Sequence, residues 1–580
     1  MKISDQLKQS IFETVKTTYP EVEIKLEDII LEHPTVEEFG DYSTNIALRL
    51  AKQLKLNPQE MAEKIIAGQT FPATASVRAG FINFTLPKEF LVSEMQKVDK
   101  DYGKRSKNNQ KIVIELVSPN INKPLHIGHL RNAALGMSLA NIYEATGWEV
   151  VKDEINNDRG LHIMKAAYGY LLFGQKEPQE TKDWKELLAF WTSDKNKWQS
   201  PEAEKKKQDF FVGEYYVLGE KFLNENEEFA GKQLAEMLQA WEAEEKTIWQ
   251  LWQKMSDWVH SGIDVTYARI GVKHDKKWYE HLLYKEGRTY ILEAVDKGIF
   301  ERLPDGAVQA NLKPYGLDNK ILIRRDGTAI YMTFDIALTR HKVEEFKANK
   351  YVWVVGNDQV DHFKRLFVIF DMLGLGKKED FYHLAHGMVR VPGGKMSSRL
   401  GNVILADDLL DKIKEMAEKF GEETAEDVAV GAVKYAMLKV DPVMNVTFDL
   451  DKSVSLEGDS GPYLQYMYAR ARSVIARSKA TKRSLRSSEK IASLTLAMTR
   501  EEISVLRYLY RFPEVVEQAA KQYAPNILCT YLFELAKRFN NLYNNCPIIG
   551  NDFRLALTAA SAQVIKNGLN LLGIVALEKM

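Results

Sequence analysis

The sequence predicts a protein of the α/β class, with a central domain built on a parallel β-sheet. The first observation is length: 580 residues exceed the roughly 250–300 that one hydrophobic core organises, so about three domains are expected. The second is a strand–helix–strand pattern over residues 111–152 that returns after residue 350. The third is a continuous helical pattern from Leu456 onward, which predicts an all-α C-terminal domain.

The composition is that of an ordinary globular protein, with 45% hydrophobic and 27% charged residues. No apolar run approaches the roughly 18 residues that a membrane span needs, and the first residues lack a secretory signal. The two cysteines, Cys529 and Cys546, are too few for a disulfide framework or a zinc site of several thiolates. We therefore expect a cytoplasmic protein with no membrane partner and no zinc.

Residues 1–105 are predicted to form an α+β domain. Asp41 to Leu54 spaces its apolar residues as a helix does, and Ala79 to Leu86 alternates like a strand. The polar stretch Asp99 to Gln110 is typical of a linker. The central domain should therefore begin near residue 106 and extend to residue 455.

Two strand–helix–strand units are predicted in the central domain, Lys111–Val117, Gly128–Thr146 and Glu149–Lys152, then Tyr351–Val355, Gln359–Leu373 and Phe381–Val389. Such units imply a parallel sheet, whose carboxyl edge is where ligands bind. Between them an insertion, about residues 175–261, holds seven of the ten tryptophans. Their helical spacing favours core packing over base stacking.

The motif His126-Ile127-Gly128-His129 stands where the first predicted strand passes into its helix. A helix N-terminus offers free N–H groups to a phosphate, and glycine lets a ligand approach the backbone closely. Imidazoles at i and i+3 lie on one helix face and can donate to phosphate oxygens. The alternative is a pair of surface or helix-capping histidines without a ligand.

A second motif, Lys395-Met396-Ser397-Ser398-Arg399, follows Pro392-Gly393-Gly394. A basic loop after a glycine hinge suits a transition-state phosphate, because it can close as charge develops. Alone, a basic pentapeptide is a weak signal. It becomes informative about 270 residues after the histidine motif, past a second half-sheet.

Together the two motifs resemble the signature of class I aminoacyl-tRNA synthetases. Further segments resemble the arginyl-tRNA synthetases in particular, along the whole chain: Phe39–Tyr42, Gly80–Phe84, Ser118–Lys123, Gly461–Tyr466 and Leu571–Ile574. The resemblance implies a Rossmann-like catalytic domain at 106–455, a tRNA-contacting domain at 1–105 and an anticodon-binding domain at 456–580. Departures occur at Ser398 and Leu400, where the family often carries basic residues, and at His162, where it often carries glutamine.

A pocket for arginine needs carboxylates, since a guanidinium meets a carboxylate through two parallel hydrogen bonds. Tyr331 and Asp335 are i, i+4 in a predicted helix and share one face. Asp335 is expected to take the guanidinium, and Tyr331 to add a ring or a hydroxyl. Buried Glu115 needs a cation, which is either the ligand or a structural partner.

By resemblance, Ser118, Asn120 and Gln359 also contact arginine. His126, Gly128, His129, Lys395, Met396 and Ser397 are implied to bind ATP, with His126, His129, Lys395 and Arg399 stabilising the transition state. Mg²⁺ is expected to arrive on ATP, without protein ligands. His362 is expected to be structural or to lie near the adenosine.

The C-terminal segment carries a positive charge excess. From Leu456 onward there are 17 Lys/Arg and 10 Asp/Glu, or +7, against −8 (62 minus 70) before it. A polyanion is attracted to such a surface, although a solvated helix face is the alternative. We expect tRNA(Arg) to be contacted by Arg470, Arg477, Lys482, Arg483, Tyr543 and Met580, where Tyr543 is otherwise a core residue of a helix hairpin.

Other functions remain open at this point. A lysine-specific class I synthetase needs only a point-charge partner in its pocket. An RNA-binding paralogue without catalysis is disfavoured by the intact motif residues His126, His129 and Lys395. A small-molecule adenylyltransferase is disfavoured by the basic helical C-terminus and the chain length. A monomer is the default expectation.

Overall fold

The computed structural model describes residues 3–392, 404–478 and 498–580. It divides into two compact units. The first comprises Met1–Tyr102, Ala471–Phe512 and Leu535–Val564, and the second comprises Gly103–Arg470, Pro513–Glu534 and Ile565–Met580. The segment beyond residue 456 therefore contributes to both. No helix of the described ranges is long and apolar enough to cross a membrane.

The N-terminal part of the first unit packs helices on a three-stranded antiparallel sheet of order β1-β3-β2. Its elements are α1 (Ile3–Thr18), β1 (Tyr42–Thr44), α2 (Ile46–Leu54), α3 (Pro58–Gly68), β2 (Thr74–Arg78), β3 (Phe81–Thr85) and α4 (Lys88–Gln96). A short strand thus precedes the helix predicted from Asp41. Gly40 has φ 88°, and a Cβ there would stand 2.5 Å from the Phe84 carbonyl oxygen, which explains the glycine.

Five parallel strands form the sheet of the second unit, in the order β11-β10-β4-β5-β6. They and the helices that connect them are β4 (Lys111–Glu115), α5 (Ile127–Ala145), β5 (Glu149–Asn156), β6 (Lys276–Tyr279), β10 (Lys350–Gly356), α14 (Val360–Met372) and β11 (Phe381–His386). This confirms the predicted parallel sheet and both strand–helix–strand units. The strand β6 was not predicted.

The helix α6 (Leu161–Phe173) precedes the predicted insertion, and five helices fill it: α7 (Trp184–Ser193), α8 (Pro201–Glu204), α9 (Gln208–Glu225), α10 (Glu227–Glu242) and α11 (Lys246–Ile270), the last of which extends beyond it. Six of its seven tryptophans are buried, and Trp249 is half-buried with its ring stacked 5.3 Å from that of Trp241. The tryptophans therefore pack in the core of the insertion.

Smaller elements complete the second unit around the sheet. The helix α12 (Glu280–Asp296) is followed by a three-stranded antiparallel sheet of β7 (Glu301–Arg302), β8 (Val308–Ala310) and β9 (Lys320–Ile323), and then by α13 (Tyr331–Phe346). Beyond the main sheet come β12 (Val389–Arg390), α15 (Ala406–Ala417), α16 (Ala425–Leu438), β13 (Val446–Thr447) and α17 (Leu450–Ser453), with β12 and β13 paired.

The described residues after 456 are helical, as predicted. The helices are α18 (Gly461–Arg477), α19 (Arg500–Leu509), α20 (Phe512–Lys521), α21 (Pro525–Asn545) and α22 (Asp552–Leu571). In the first unit, Arg507 on α19 lies 3.4 Å from Asp41, and Ser504 donates a 2.8 Å hydrogen bond to Glu37. In the second unit, Lys434 donates to the carbonyl of Gly573, which caps the end of α22.

Candidate active site

A cavity of about 500 Å³ opens at the carboxyl edge of the parallel sheet, beside the start of α5. The strands β4 and β10 are neighbours there, and their helices α5 and α14 follow them. Ligands of open α/β sheets bind where the strand order reverses in this way. Eight predicted arginine- and ATP-binding residues line this cavity: Glu115, Ser118, His126, Gly128, His129, Tyr331, Asp335 and Gln359.

The two motif histidines are held by the backbone at the start of α5. Nδ1 of His126, the N-cap residue, accepts the N–H of Gly128 at 3.1 Å. Nδ1 of His129 accepts the N–H of His126 at 3.0 Å, so the two rings cap the helix reciprocally. A Cβ at position 128 would stand 2.9 Å from the His126 ring, which explains why the motif has glycine there.

These contacts fix the protonation of both rings. Because each Nδ1 accepts a hydrogen bond, a neutral ring carries its hydrogen on Nε2. Burial, reinforced by the charge of Lys123, lowers the pKa of His126 to about 4. Burial also lowers the pKa of His129 well below its ordinary value. Near pH 7 the site therefore offers two neutral Nε2–H donors, on rings with centroids 3.9 Å apart.

Glu115, which lines the cavity, belongs to a cluster in which a buried cation lies between two carboxylates. Lys342 Nζ lies 2.6 Å from Glu115 Oε2 and 2.7 Å from Asp153 Oδ2. Trp278 donates to the same Asp153 oxygen at 2.9 Å. Burial opposes the charge of Lys342, but the two carboxylates outweigh burial and raise its pKa, so it stays an ammonium. Glu115 thus has the structural partner that one of its two predicted roles required, and it also lines the cavity, while its contact with a ligand stays a prediction.

Asp335 projects from α13 into the cavity and is bonded to His362. The Nε2 atom of His362 lies 2.8 Å from Asp335 Oδ2, so His362 belongs to this cavity. Burial raises the pKa of Asp335, and the bond to His362 opposes that rise. The charge of Asp335 in turn raises the pKa of Tyr331. Since His362 takes one oxygen of Asp335, a fully bidentate grip on a guanidinium must share the second contact with another acceptor.

Ser118 reaches the cavity through an unusual turn. Val117 and Ser118 have φ of 71° and 45°, and a β-branched residue at positive φ is a strained outlier. Ser118 Oγ donates to Glu115 Oε1 at 3.0 Å and accepts the N–H of Ile155 at 3.1 Å. Asn120 is exposed and does not line the cavity. Its backbone pairs with that of Asn157, which does line the cavity.

Three family models match the chain. That for the class I tRNA synthetase (R) catalytic domain matches residues 91–450. That for the DALR anticodon binding domain matches residues 464–580, and that for the arginyl tRNA synthetase N terminal domain matches residues 2–86. Among relatives, an arginine–tRNA ligase of Phocaeicola vulgatus is 35% identical over 100% of both chains. One of Treponema denticola is 36% identical over 98% of both.

The chain belongs to the arginyl-tRNA synthetase family. Solved structures of this family share its fold. The Thermus thermophilus arginyl-tRNA synthetase superimposes with a TM-score of 0.78 at 23% identity, over 99% of both chains. The Plasmodium falciparum arginyl-tRNA synthetase superimposes with a TM-score of 0.80 at 19% identity, over 100% of both. The predicted catalytic domain of class I synthetase type and helical C-terminal domain are therefore confirmed.

Several predicted residues of this synthetase lie outside the described ranges. They are the loop residues Lys395, Met396, Ser397 and Arg399 and the C-terminal residues Lys482 and Arg483. The roles predicted for them stay predictions.

The predicted tRNA residues lie in three places. Tyr543 and Arg477 line a cavity of about 490 Å³ in the first unit, together with the exposed Asn544 and Asn545. The Tyr543 ring is half-buried against a cluster of Val474, Ile548 and Leu555, so it fits both predicted roles. Arg470 lies over the Tyr466 ring. In the second unit, Met580 packs with Phe420 and Leu577 against Ala417 of α15 and Val428 of α16, and it is not among the residues that line the Tyr543 cavity.

Residues that the sequence did not indicate also line the active-site cavity: Asn132, Asn157, Thr339 and His386. His386 ends β11, so the rule that placed Gln359 after β10 applied equally to it. Asn132 bonds the backbone N–H of Val117 at 2.7 Å. The two bonded residues are 15 positions apart in the sequence, and no local sequence pattern predicts the bond. Lys123 belongs to the segment Ser118–Lys123 that carries the family resemblance, and its charge acts on both histidines.

Proposed function

We propose that the chain is an arginine–tRNA ligase. It activates L-arginine with ATP to arginyl-adenylate, and then transfers arginine to the terminal ribose of tRNA(Arg). The observation that carries this proposal is the single cavity lined by carboxylates Glu115 and Asp335 on one side and by the neutral rings of His126 and His129 on another. Carboxylates recognise the guanidinium and ammonium of arginine, and N–H donors recognise the phosphates of ATP.

The charge of the carboxylate end suits arginine. Three buried carboxyl groups, Glu115, Asp153 and Asp335, stand against one buried ammonium, Lys342, so this end of the cavity is short of cations. The guanidinium and ammonium of arginine supply two positive charges. Asp335 Oδ1 and Glu115 Oε1 are the acceptors not engaged by His362 or Lys342. We therefore assign the guanidinium to Asp335, Glu115 and Tyr331, and the amino-acid backbone to Ser118 and Gln359, which line the cavity. The contact predicted for Asn120 stays a prediction, because Asn120 does not line the cavity.

The histidine end suits the α-phosphate and its transition state. Neutral imidazoles are fixed donors that gain strength as negative charge develops on phosphorus, and they need no reorganisation at that moment. Gly128 leaves the helix N-terminus open to the nucleotide. Lys395, Met396, Ser397 and Arg399 complete this phosphate site in the proposal. Mg²⁺ is part of the nucleotide substrate, held on its β- and γ-phosphates rather than by protein ligands.

The chemistry then needs positioning and no covalent enzyme intermediate. A carboxylate oxygen of arginine attacks the α-phosphorus in line, and the bond from that phosphorus to the bridging oxygen of pyrophosphate breaks. The terminal ribose hydroxyl of the tRNA next attacks the carbonyl carbon of the adenylate. AMP leaves with the electron pair of the broken C–O bond, and the hydroxyl proton passes to the departing phosphate or to water.

The tRNA is assigned to both ends of the chain. Residues 456–580 are the anticodon-binding domain, in which Tyr543 stacks on a base while Arg470, Arg477, Lys482 and Arg483 meet phosphates and Met580 supports the chain end. Residues 1–105 are a tRNA-contacting domain. A cavity of about 420 Å³ there is lined by Arg78, by Asn83 and by Phe81, whose ring is 40% exposed. A cation, an amide and an exposed ring are suited to an unpaired base.

Two further properties belong to the enzyme we propose. The enzyme acts in the cytoplasm, and it acts as a monomer.

The test is pyrophosphate exchange into ATP with each amino acid in turn, with and without total tRNA. Among the amino acids only arginine should support exchange, and it should do so only when tRNA is present. Robust exchange with arginine and ATP in the absence of tRNA would contradict this dependence. Exchange with lysine instead would assign a different synthetase. If none of the amino acids supports exchange while the chain still binds tRNA, the protein is an RNA-binding paralogue without catalysis.

A further inference from the structure

A buried ion cluster joins the tryptophan-rich insertion to the segment that follows residue 403. Lys207 Nζ, just before α9, lies 2.8 Å from Asp209 Oδ2, 2.9 Å from Asp407 Oδ2 and 2.7 Å from Thr266 Oγ1. Asp209 and Thr266 are fully buried and Asp407 is 8% exposed. Buried charges of this kind persist only when they are paired, so Lys207 and Asp407 are held together.

A second cation balances the cluster. Arg269, at the end of α11, reaches the other oxygen of Asp407 at 3.3 Å and also contacts Asp411 and Glu426. Thr266 donates to Asp407 Oδ2 at 2.8 Å, so both oxygens of this carboxylate are engaged by the insertion side. Lys207 and Arg269 together neutralise Asp209 and Asp407. Gly262 on α11 permits the approach, because a Cβ there would stand 2.4 Å from Asp209.

The same segment is bonded to the histidine motif on its other side. The N–H of Ile127 donates to the Ile404 carbonyl at 2.9 Å, and the N–H of Ala406 donates to the Leu125 carbonyl at 2.9 Å. His126 lies between these two bonds, opposite Leu405. Asp407 directly follows Ala406, so a shift of Asp407 also shifts the backbone of Leu405, which lies opposite His126.

We propose that Lys207 and Asp407 are positioning residues for the arginine activation proposed above, and that holding this segment is a function of the insertion. The ion pair of Lys207 with Asp407 holds residues 404–406 in place. The backbone hydrogen bonds of these residues hold the backbone around His126 and so set the direction of its ring. A displacement of about 1 Å at a reacting group can cost on the order of a hundredfold in rate. The inference rests on the proposed function and adds to it a role for the insertion.

The decisive variant is Asp407→Asn in the full-length chain, which keeps the shape of the side chain and removes its charge. Its matched control is Asp411→Asn, on the same helix and also bonded to Arg269, but with a side chain that is 70% exposed. The measurement is arginine-dependent pyrophosphate exchange with tRNA present, with thermal melting of each variant. We expect Asp407→Asn to lower kcat about tenfold or more. The KM values for arginine and ATP should stay within about threefold, and Asp411→Asn should match the parent within about twofold.

A second variant decides the question if Asp407→Asn does not fold. The double variant Lys207→Met with Asp209→Asn removes the insertion's cation together with the carboxylate that needs it, while Asp407 keeps Arg269 and Thr266. It should show the same loss of kcat at unchanged KM values. Parent-like kcat in either folded variant overturns the inference, and so does a lowered melting temperature with unchanged kcat per folded molecule. A parent chain inactive with arginine would instead contradict the proposed function.

Discussion

The two ends of the active-site cavity differ in whether their ionisable side chains are charged. At the histidine end, burial and backbone hydrogen bonds suppress the charge of His126 and His129 and leave neutral donors. At the carboxylate end, charge is kept inside the protein because Lys342 sits between Glu115 and Asp153. The difference is what the function proposed above requires at the two ends. A cationic amino acid is bound by charge that is already present, whereas a phosphoryl transition state is stabilised by donors that respond as charge develops.

The largest effect is expected from removing the carboxylate of Asp335. Asp335→Ala should weaken arginine binding by about 3–5 kcal/mol and leave ATP binding nearly unchanged, because a buried cation loses its partner. Equilibrium binding of each ligand measures both. Asp361→Ala, an exposed carboxylate near the start of the neighbouring helix α14, is the control and should change neither. Arginine affinity within threefold of the parent would remove Asp335 from the pocket.

Breaking the internal ion cluster should affect stability as strongly. Lys342→Met leaves Glu115 and Asp153 buried without a cation, which should lower the free energy of unfolding by about 3–5 kcal/mol. The exposed Lys364→Met, whose partner is Asp361, should cost less than about 1 kcal/mol. Denaturant unfolding compares the two. Adding Asp153→Asn to Lys342→Met should recover part of the loss, and no recovery would mean that packing rather than charge sets the cost.

The histidine end should respond in rate rather than in binding. His126→Asn keeps an acceptor for the helix N-terminus but removes the ring donor, and kcat should fall about 100-fold with small changes in KM. Pyrophosphate exchange gives both constants. An equal rise in KM for ATP with unchanged kcat would show that His126 binds the ground state instead.

The same histidine should give the fold a pH dependence of known sign. The pKa of His126 is about 4 in the folded chain and about 6.5 when unfolded, so the unfolded state binds more protons between these values. Its contribution to stability is therefore present above about pH 6.5 and is lost as the pH falls towards 4. The parent should lose up to about 3 kcal/mol more than His126→Asn across this window. Parallel curves for the two proteins would contradict the buried neutral ring.

The smallest effect on the cavity should come from the C-terminal region. Tyr543→Ala should raise the KM for tRNA about tenfold, since a stacked base contributes about 1–3 kcal/mol, while arginine and ATP affinities hold. Arg477→Ala should weaken all tRNAs alike and flatten the salt dependence by about one unit. A change in arginine affinity in either variant would contradict this prediction, because it would show that the C-terminal region affects the active-site cavity.

What the sequence predicted was local. The strand, the turn and the helix start that carry His126 follow one another in the chain, and Tyr331 and Asp335 are one helical turn apart, so periodicity and spacing placed them. The strand β6 was missed because Lys276–Tyr279 is short and half polar, with its partner β5 over 100 residues earlier. The partner of Glu115 could not be named, because Lys342 lies 227 residues away on a helix with no motif of its own.

The measurement that tests the account most directly compares arginine with citrulline, which has nearly the same shape but a neutral end group. Equilibrium dissociation constants are measured on the full-length chain with tRNA present. If the cavity binds arginine through the charges of Asp335 and Glu115, citrulline should bind at least about 100-fold more weakly, since the bound ligand then leaves these buried carboxylates without the cation and hydrogen-bond donors of the guanidinium. Equal affinities for the two ligands would contradict the account.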